Sequence, residues 1–198
     1  MVSARSAESP PAAGRRPPLP VKIVIAGGFG VGKTTLVGAV SEIEPLRTEA
    51  LMTEASTPVD DLSMLPDKTT TTVAMDFGRI TLAEDLVLYL FGTPGQNRFW
   101  FMWDDITRGA IGAVVLVDTR RLADCFGAVD YVEQRGIPFV VAINAFDGVL
   151  QHTVEEVRDA LQVSSEVPFV VTDARERDSV KDVLVRLVEH AMAVVRQG

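Results

Sequence analysis

The sequence has little cysteine and no long hydrophobic run. Its one cysteine, Cys125, excludes an internal disulfide, and such a low content is typical of proteins in a reducing cytosol. No apolar run approaches the length of a membrane span, and the N-terminus lacks the apolar centre of a signal peptide. Val2 stands where myristoylation would need a glycine, and no C-terminal cysteine offers a prenylation site. We therefore expect a cytoplasmic protein with no direct membrane anchor, which reaches a membrane only through a partner.

Basic charge is also scarce. The chain carries 19 Lys and Arg against 27 Asp and Glu, a net charge of -8. Non-specific binding to nucleic acid needs a basic surface, so we expect no nucleic-acid partner. Residues 1–20 are rich in Ala, Ser and Pro, which predicts a disordered tail. Residues 21–198 fit one domain with a sizeable core.

A glycine-rich segment between an apolar run and a helix-like stretch is the strongest motif. Its spacing, Gly, four residues, Gly-Lys-Thr, is the signature of a phosphate-binding loop. The glycines let backbone N–H groups converge on phosphate oxygens, and the start of the helix adds partial positive charge. A glycine-rich turn that binds nothing is the alternative, and the flanking strand and helix argue against it. The residues expected around the phosphates are Gly27, Phe29, Gly30, Val31, Gly32, Lys33, Thr34 and Thr35.

The rest of the chain alternates strand and helix patterns. Strands are predicted at Val21–Ala26, Thr72–Leu82, Leu86–Phe91, Ile111–Val117, Ile137–Ile143 and Val167–Val171, mostly as continuous apolar runs. Helices are predicted at Thr34–Ile43, Asn97–Arg108, Thr119–Arg135, Thr153–Leu161 and Ser179–Val195. Thr72–Leu82 and Leu86–Phe91 are too close for a crossover helix and should pair antiparallel. We predict an α/β fold of the P-loop NTPase class, with a six-stranded, mostly parallel sheet, one antiparallel edge strand and helices on both faces.

Taken in chain order, the motifs resemble those of the Ras-like small GTPase superfamily from Val21 to about Val195. The segments Ala26–Thr35 and Phe91–Gln96 are similar to those of bacterial MglA-like GTPases, and most similar to the GTPase component of actinobacterial conservons. Conservon operons also encode a sensor-kinase-like protein and a roadblock-fold protein. The resemblance implies GTP or GDP as ligand, Mg²⁺ as cofactor and a roadblock-fold regulator at the switch regions.

The resemblance also implies roles around the γ-phosphate. Thr34 and Thr72 would ligate Mg²⁺, with Thr72 chosen among four consecutive threonines by comparison with the strand start of Rab-like relatives. A β-branched run that favours a strand is the alternative for these threonines. The N–H of Gly95 would contact the γ-phosphate, and Gln96 would orient the attacking water, as the equivalent Gln does in Ras. Arg98 is either an internal arginine finger or a surface arginine.

One carboxylate of the family pattern is missing. Gly92 stands where most Ras-like proteins have an aspartate that holds Mg²⁺ through water, and MglA-like proteins lack it too. We therefore expect nucleotide retention to depend only weakly on Mg²⁺. A strong dependence would mean that another carboxylate, such as Asp60, Asp61 or Asp76, has taken the role.

Two segments are expected at the base. Asp147 can accept two hydrogen bonds from the ring N–H and amino group of guanine, and adenine offers no matching donor at the ring position. Asn144 would buttress this loop, while Ala145 replaces the lysine of the family pattern; a turn formed by Asn and Asp is the alternative. The final segment, Asp173, Ala174 and Arg175, resembles the weak Ser-Ala-Lys box, in which the Ala N–H meets the guanine oxygen.

An aromatic cluster follows Gln96. Five large apolar residues in succession, 99–103, cannot all face one side of a helix, and exposed aromatic clusters mark binding sites. We expect Phe99, Trp100 and Trp103 to form a partner surface, with Trp100 or Trp103 docking the regulator. In the alternative, Phe99 and Met102 enter the core and the others pack against the loop between Pro45 and Thr71.

These patterns predict a GTP-binding switch that hydrolyses GTP slowly, accelerated by a partner. A non-hydrolysing nucleotide-dependent scaffold is the first alternative, because Gly92 removes a carboxylate. A P-loop ATPase is the second, and the guanine-reading chemistry of Asp147 argues against it.

Overall fold

The computed structural model describes residues 18–53 and 70–197, with side chains except those of residues 47–53, 70–74, 97, 98 and 197. The predicted tail therefore lies mostly outside the described residues, as do the side chains of Thr72 and Arg98. The described part begins in a strand at Leu19, two residues before the predicted strand start. None of the described helices is both long and apolar enough for a membrane span.

Within the described residues, seven strands form one sheet. They are β1 (Leu19–Ala26), β2 (Leu46–Thr53), β3 (Thr70–Ala83), β4 (Leu86–Gly92), β5 (Gly112–Val117), β6 (Phe139–Asn144) and β7 (Phe169–Thr172), in the order β2-β3-β4-β1-β5-β6-β7. The pairs β1–β4, β1–β5, β5–β6 and β6–β7 are parallel, and β3 is antiparallel to both its neighbours. The predicted class, a mostly parallel sheet with one antiparallel strand, is confirmed.

The sheet extends one strand further than predicted. β2 pairs with the first half of β3, from Leu46 opposite Phe77 to Thr53 opposite Thr70, so β3 is not the edge strand. The sequence of β2, LRTEALMT, has an apolar run of only three residues and no strict alternation. An edge strand of this kind is defined by its backbone hydrogen bonds to a neighbour, which periodicity does not reveal.

Helices cover both faces of the sheet. They are α1 (Lys33–Val40), α2 (Trp103–Thr107), α3 (Phe126–Gln134), α4 (Val154–Leu161) and α5 (Arg177–Gln197), with 3₁₀ helices at Asn97–Met102, Thr119–Cys125 and Phe146–Gly148. Leu116 packs in the cluster formed with α1 and α5, whereas Val115 and Val117 pack in the cluster formed with α2, α3 and α4. All six residues of β5 are buried, as expected of a strand covered on both faces.

Two local features follow directly from the residue types. Thr153 begins α4 with a capping box: its hydroxyl accepts from the Glu156 N–H, and the Glu156 carboxylate accepts from the Thr153 N–H. Cys125 is a core residue, 2% exposed, and burial raises the pKa of its thiol to about 12. This thiol is therefore kept protonated and unreactive at neutral pH.

Candidate nucleotide site

The phosphate-binding loop joins β1 to α1 at the carboxyl edge of the sheet. Gly27, Gly30 and Gly32 have φ angles of 139°, 74° and 107°, a region that side chains disfavour. A Cβ on Gly27 would lie 2.4 Å from the Leu116 carbonyl oxygen, and one on Gly32 would lie 2.8 Å from Nδ2 of Asn144. The motif's glycines are thus required by the close approach of β5 and β6.

The side chain of Lys33 folds back onto the backbone of this loop. Its side chain is buried, and Nζ donates to the carbonyls of Gly27 and Gly28 at 2.8 and 2.7 Å. Burial lowers the pKa of Lys33 to about 8, while the charge of Asp76 opposes this shift. Nζ is also close to Gly95, where a Cβ would approach it to 2.8 Å. The cation is therefore held between the two segments expected to contact the β- and γ-phosphates.

Thr34, the first residue after this lysine, offers an oxygen that fits Mg²⁺. Its hydroxyl is exposed and donates to Oδ2 of Asp76 on β3 at 2.6 Å. Hydroxyl and carboxylate oxygens are the ligand types that Mg²⁺ prefers, with phosphate and water completing its shell. Within the described residues there is no group of three or more His, Cys, Asp or Glu that could hold a metal alone. Phosphate and water oxygens would complete the shell of a metal held by Thr34.

Asn144, the last residue of β6, connects three segments of the site. Its Nδ2 donates to the Val31 carbonyl at 3.0 Å, and its Oδ1 accepts from the Ala174 N–H at 3.1 Å. The side chain is only 3% exposed, so both groups would be left without water if it were removed. Asn144 therefore fixes the phosphate loop relative to the segments at the ends of β6 and β7. The Ala174 N–H, expected at the guanine oxygen, is engaged by Asn144 in this structure.

Asp147 and Arg175 lie beside one another at the rim. Asp147 has a left-handed backbone, with φ 57°, and its carboxylate is exposed. Nη1 of Arg175 donates to it at 2.9 Å, while Nη2 donates to Asp173 at 2.6 Å. The Arg175 guanidinium lowers the pKa of Asp173 to about 2. The predicted base-reading carboxylate is thus accessible and is paired with an arginine.

A second arginine, Arg120, also acts electrostatically on Asp147, and no motif in the sequence indicated it. The Arg120 guanidinium is 3.9 Å from the centre of the Phe146 ring and pairs with Asp118 at 2.8 Å. With Asn144 and Asp147, these residues line a cavity of ≈ 240 Å³. Their place in the chain was the one feature that pointed to the site. Asp118 and Arg120 directly follow β5, at the edge of the sheet where ligands bind.

Gln96 lines a further cavity of ≈ 420 Å³ beside the phosphate loop. Phe29, Gly95 and Arg121 share this cavity, and Arg121 pairs with Asp124. A Cβ on the loop glycine at position 30 would lie 4.0 Å from the Arg121 guanidinium. Within the residues whose side chains are described, Arg121 is the arginine that approaches the loop, whereas the side chain of the predicted Arg98 lies outside them.

The structure corrects the predicted partner surface. Phe99 and Trp103 are buried, at 8% and 2% exposed, and the Trp103 indole N–H donates to the Pro94 carbonyl at 3.3 Å. Both belong to the core because Asn97–Met102 turns as a 3₁₀ helix before α2, which points them inward. Trp100 and Phe101 are the exposed aromatics of the cluster, at 37% and 60%.

The predicted segments meet at one edge of the sheet. The phosphate loop, Gly95–Gln96, Asn144–Asp147 and Asp173–Arg175 all follow the carboxyl ends of β1, β4, β6 and β7. Ligands of open α/β sheets bind at this edge. Thr35 is exposed in the first turn of α1, next to Thr34.

Two solved structures from T. maritima are similar to this chain. One is the cytosolic domain of the FeoB iron transporter in a GDP form, with a TM-score of 0.63 and 17% identity, covering 89% of this chain and 65% of that domain. The other is the G domain of the same transporter, with a TM-score of 0.60 and 18% identity, covering 87% of this chain and 99% of that domain. At this identity the likeness shows that this chain has the same fold as these two domains.

The sequence comparisons identify the family. The uncharacterized protein MJ1339 of Methanocaldococcus jannaschii is 30% identical over 129 residues, which are 64% of this chain and 71% of that protein. A family model described as "conserved hypothetical ATP binding protein" matches residues 25–194, a range that includes all the segments of the site. The chain therefore belongs to this family of conserved hypothetical ATP binding proteins.

Proposed function

We propose that the protein binds GTP and GDP with Mg²⁺ and hydrolyses GTP slowly, acting as a molecular switch. The observation that carries this proposal is the pair of hydrogen bonds from Asn144. They connect the phosphate loop at Val31 to Ala174, and Asp147 lies three residues after Asn144 in the chain. These contacts support the proposal because they connect the segment expected at the phosphates with the segments expected at the base.

The residues divide the binding chemistry between them. Backbone N–H groups of Gly27–Thr34 would hold the phosphates, and Lys33 would leave the Gly27 and Gly28 carbonyls to neutralise their charge. Thr34 would hold Mg²⁺, and the Thr72 hydroxyl is proposed as a further ligand. When bound, Mg²⁺ would neutralise charge on the phosphate oxygens.

Slow hydrolysis follows from the exposure of Gln96. Gln96 borders the cavity beside the phosphate loop but is itself exposed, so it is not fixed against one position of an attacking water. A regulator that orders Gln96 would accelerate the reaction. We propose that it contacts the exposed Trp100, and the conservon resemblance makes a roadblock-fold protein the first candidate. In this proposal the protein acts in the cytoplasm and reaches membranes through such partners.

ATP is the second candidate ligand. The family description names ATP, and the Arg175 guanidinium occupies the carboxylate of Asp147 in this structure. If that pair persisted with ligand bound, Asp147 would not be free to reject adenine. The cavity beside Phe146 would then bind a base without selecting guanine over adenine.

A titration decides between the two. GTP, GDP and ATP would be titrated separately in Mg²⁺ and in EDTA, followed by single-turnover release of phosphate from bound GTP. Tighter GTP than ATP binding with slow phosphate release supports the proposal. Tighter ATP binding would replace it with an ATPase, and GTP binding with no phosphate release would leave a nucleotide-dependent scaffold.

A further inference from the structure

Two consecutive arginines after β5 line two different cavities of the site. The 3₁₀ helix that carries them, Thr119–Cys125, contains none of the site residues that the motifs predicted. Arg120 lines the cavity of ≈ 240 Å³ that contains Asp147, and Arg121 lines the cavity of ≈ 420 Å³ that contains Gln96. They diverge because Arg121 interrupts the helix with a non-helical backbone, at φ -142° and ψ 50°. One loop therefore contributes a cation to each end of the site.

Arg120 is held over an aromatic ring. Nε and Nη2 both donate to the Asp118 carboxylate, at 2.9 and 2.8 Å, and the guanidinium lies 3.9 Å from the centre of the Phe146 ring. Asp118 is buried, whereas the Arg120 side chain is 49% exposed. The cavity that it lines is smaller than the roughly 300–1,000 Å³ of pockets for whole drug-sized ligands, so it suits one ring system. A planar guanidinium stacks on such a ring, and Asp147 can accept hydrogen bonds from the ring's edge.

Arg121 is bound to the outside of the phosphate loop. Its Nη2 pairs with Asp124, and its Nη1 lies 4.0 Å from the position of a Cβ on Gly30. Asp124 itself packs against the loop, since a Cβ on Gly28 would lie 2.7 Å from the Cβ of Asp124. The side chains of Arg121 and Asp124 are 55% and 43% exposed, so this arginine can exchange its carboxylate for a phosphate oxygen without breaking a buried contact. An ion pair this exposed is weak, and a phosphate competes well for the guanidinium.

We propose that the loop after β5 is a further nucleotide-binding element, in which Arg120 covers the base and Arg121 contacts the terminal phosphate. This inference rests on the proposed binding of guanine nucleotides. Arg121 is placed at the phosphate end because Gly95 and Gln96, the residues expected at the γ-phosphate, border the same cavity. The two arginines act through different properties. Arg120 acts through its planar guanidinium, which lysine lacks, whereas Arg121 acts through its charge, which lysine keeps.

The test compares the Kd of fluorescently labelled GDP with that of a labelled, non-hydrolysable GTP analogue, both in Mg²⁺. The variants are Arg120→Met, Arg120→Lys, Arg121→Met and Arg121→Lys, with Arg108→Met as the matched control. Arg108 lies before β5, at the other end of that strand, and pairs with an exposed aspartate as Arg121 does. Its loss changes the net charge by the same amount and should leave both affinities unchanged.

The two arginines should give different patterns of loss. Arg120→Met and Arg120→Lys should each weaken both nucleotides by about 3–30-fold, because the base is common to them. Arg121→Met should weaken the GTP analogue about 10-fold more than GDP, because only the analogue carries a γ-phosphate. Arg121→Lys should restore most of the affinity for the GTP analogue. If Arg120→Met does not fold, because Asp118 is left buried without its cation, Arg120→Lys decides, since it keeps the charge.

Three results would overturn the inference. They are wild-type affinities in Arg120→Lys, no selective loss of the GTP analogue in Arg121→Met, and equal losses in Arg108→Met. The first would mean that Arg120 only neutralises Asp118, and the second that Arg121 supports the loop and not the phosphate. Each of these leaves guanine-nucleotide binding by the wild type intact. A wild-type protein that binds neither labelled nucleotide would instead overturn the proposed function.

Discussion

Lys33 is held in the protein interior, where it donates to the carbonyls of Gly27 and Gly28. Burial lowers its pKa from 10.5 to about 8, so between these values the unfolded chain binds more protons than the folded one. The free energy of unfolding must then rise with pH across that window. Lys33→Met, which cannot titrate, provides the reference. Relative to Lys33→Met, the free energy of unfolding of the wild type should rise by roughly 1–3 kcal/mol between pH 8 and 10.5. Chemical denaturation of both proteins measures this difference. If the difference between the wild type and Lys33→Met does not change with pH, Lys33 is not buried in a place that lowers its pKa.

The same lysine is expected to carry triphosphate binding. Lys33→Ala should abolish GTP binding, because a point charge on the phosphates is lost, and should leave the fold intact by circular dichroism. Lys22→Met is the control, because it removes a lysine from the amino-terminal half of β1, on the edge away from the loop. Retained GTP affinity in a folded Lys33→Ala would show that this loop is not the phosphate site.

Asp147 decides the choice of base if the proposed function is right. An amide in its place cannot accept both hydrogen bonds from guanine, so Asp147→Asn should reduce the preference for GTP over ATP by roughly 1–3 kcal/mol. Asp85→Asn is the matched control, since it removes the same charge from an exposed position in the turn between β3 and β4. The measurement is a competition titration of both nucleotides. An unchanged preference in Asp147→Asn would place base recognition elsewhere in the site.

Residues within a motif could be predicted from the sequence, and residues that join the site through the fold could not. The loop from Gly27 to Thr34 is contiguous, and its spacing alone indicates phosphate binding. Asp76 lies 42 residues from Thr34, and its approach depends on the register of β3 against β4. Arg121 likewise reaches the loop from a 3₁₀ helix after β5, with a non-helical backbone at that residue. No periodicity in the sequence encodes either placement.

Among the elements, the packing of the 3₁₀ helix Asn97–Met102 on α3 depends on one glycine. A Cβ on Gly127 would lie 2.1 Å from the Trp100 indole, so the ring rests directly on the α3 backbone. Gly127→Ala should expel Trp100, shift tryptophan emission to the red and lower the free energy of unfolding by roughly 1–3 kcal/mol. Phe101, already exposed, would not compensate.

A second helical glycine serves as the control for this substitution. A Cβ on Gly38 in α1 would meet only the Pro45 ring, at 4.0 Å. Gly38→Ala should therefore raise stability by about 0.5–1 kcal/mol through helix propensity alone, with unchanged emission. Identical fluorescence in Gly127→Ala and the wild type would mean that Trp100 does not rest on α3 in solution.

The predictability of each element follows the source of its stability. β1, β5 and β6 are held by burial on both faces, and their continuous apolar runs show this in the sequence. β2 is held by backbone pairing to β3, and its mixed sequence gave no strand prediction. The helix predicted over Asn97–Arg108 is split between a 3₁₀ helix and α2, because five consecutive large apolar residues cannot share one helical face.

For the molecule as a whole, Asn144 makes the stability of the empty protein and the binding of nucleotide depend on one side chain. Asn144→Ala would leave the Val31 carbonyl and the Ala174 N–H unpaired in a buried position, and should lower the free energy of unfolding by roughly 1–3 kcal/mol. In the wild type, GDP at 100 times its Kd should add about 2.7 kcal/mol. At the same GDP concentration this increment should shrink in Asn144→Ala, because the phosphate and base segments are no longer fixed to one another. GDP should not stabilise Lys33→Ala. Without nucleotide, the free energy of unfolding of this variant should be at least that of the wild type. Thermal unfolding of the three proteins with and without Mg²⁺-GDP measures both quantities, and a full GDP increment in Asn144→Ala would show that the two halves of the site bind nucleotide without this tie.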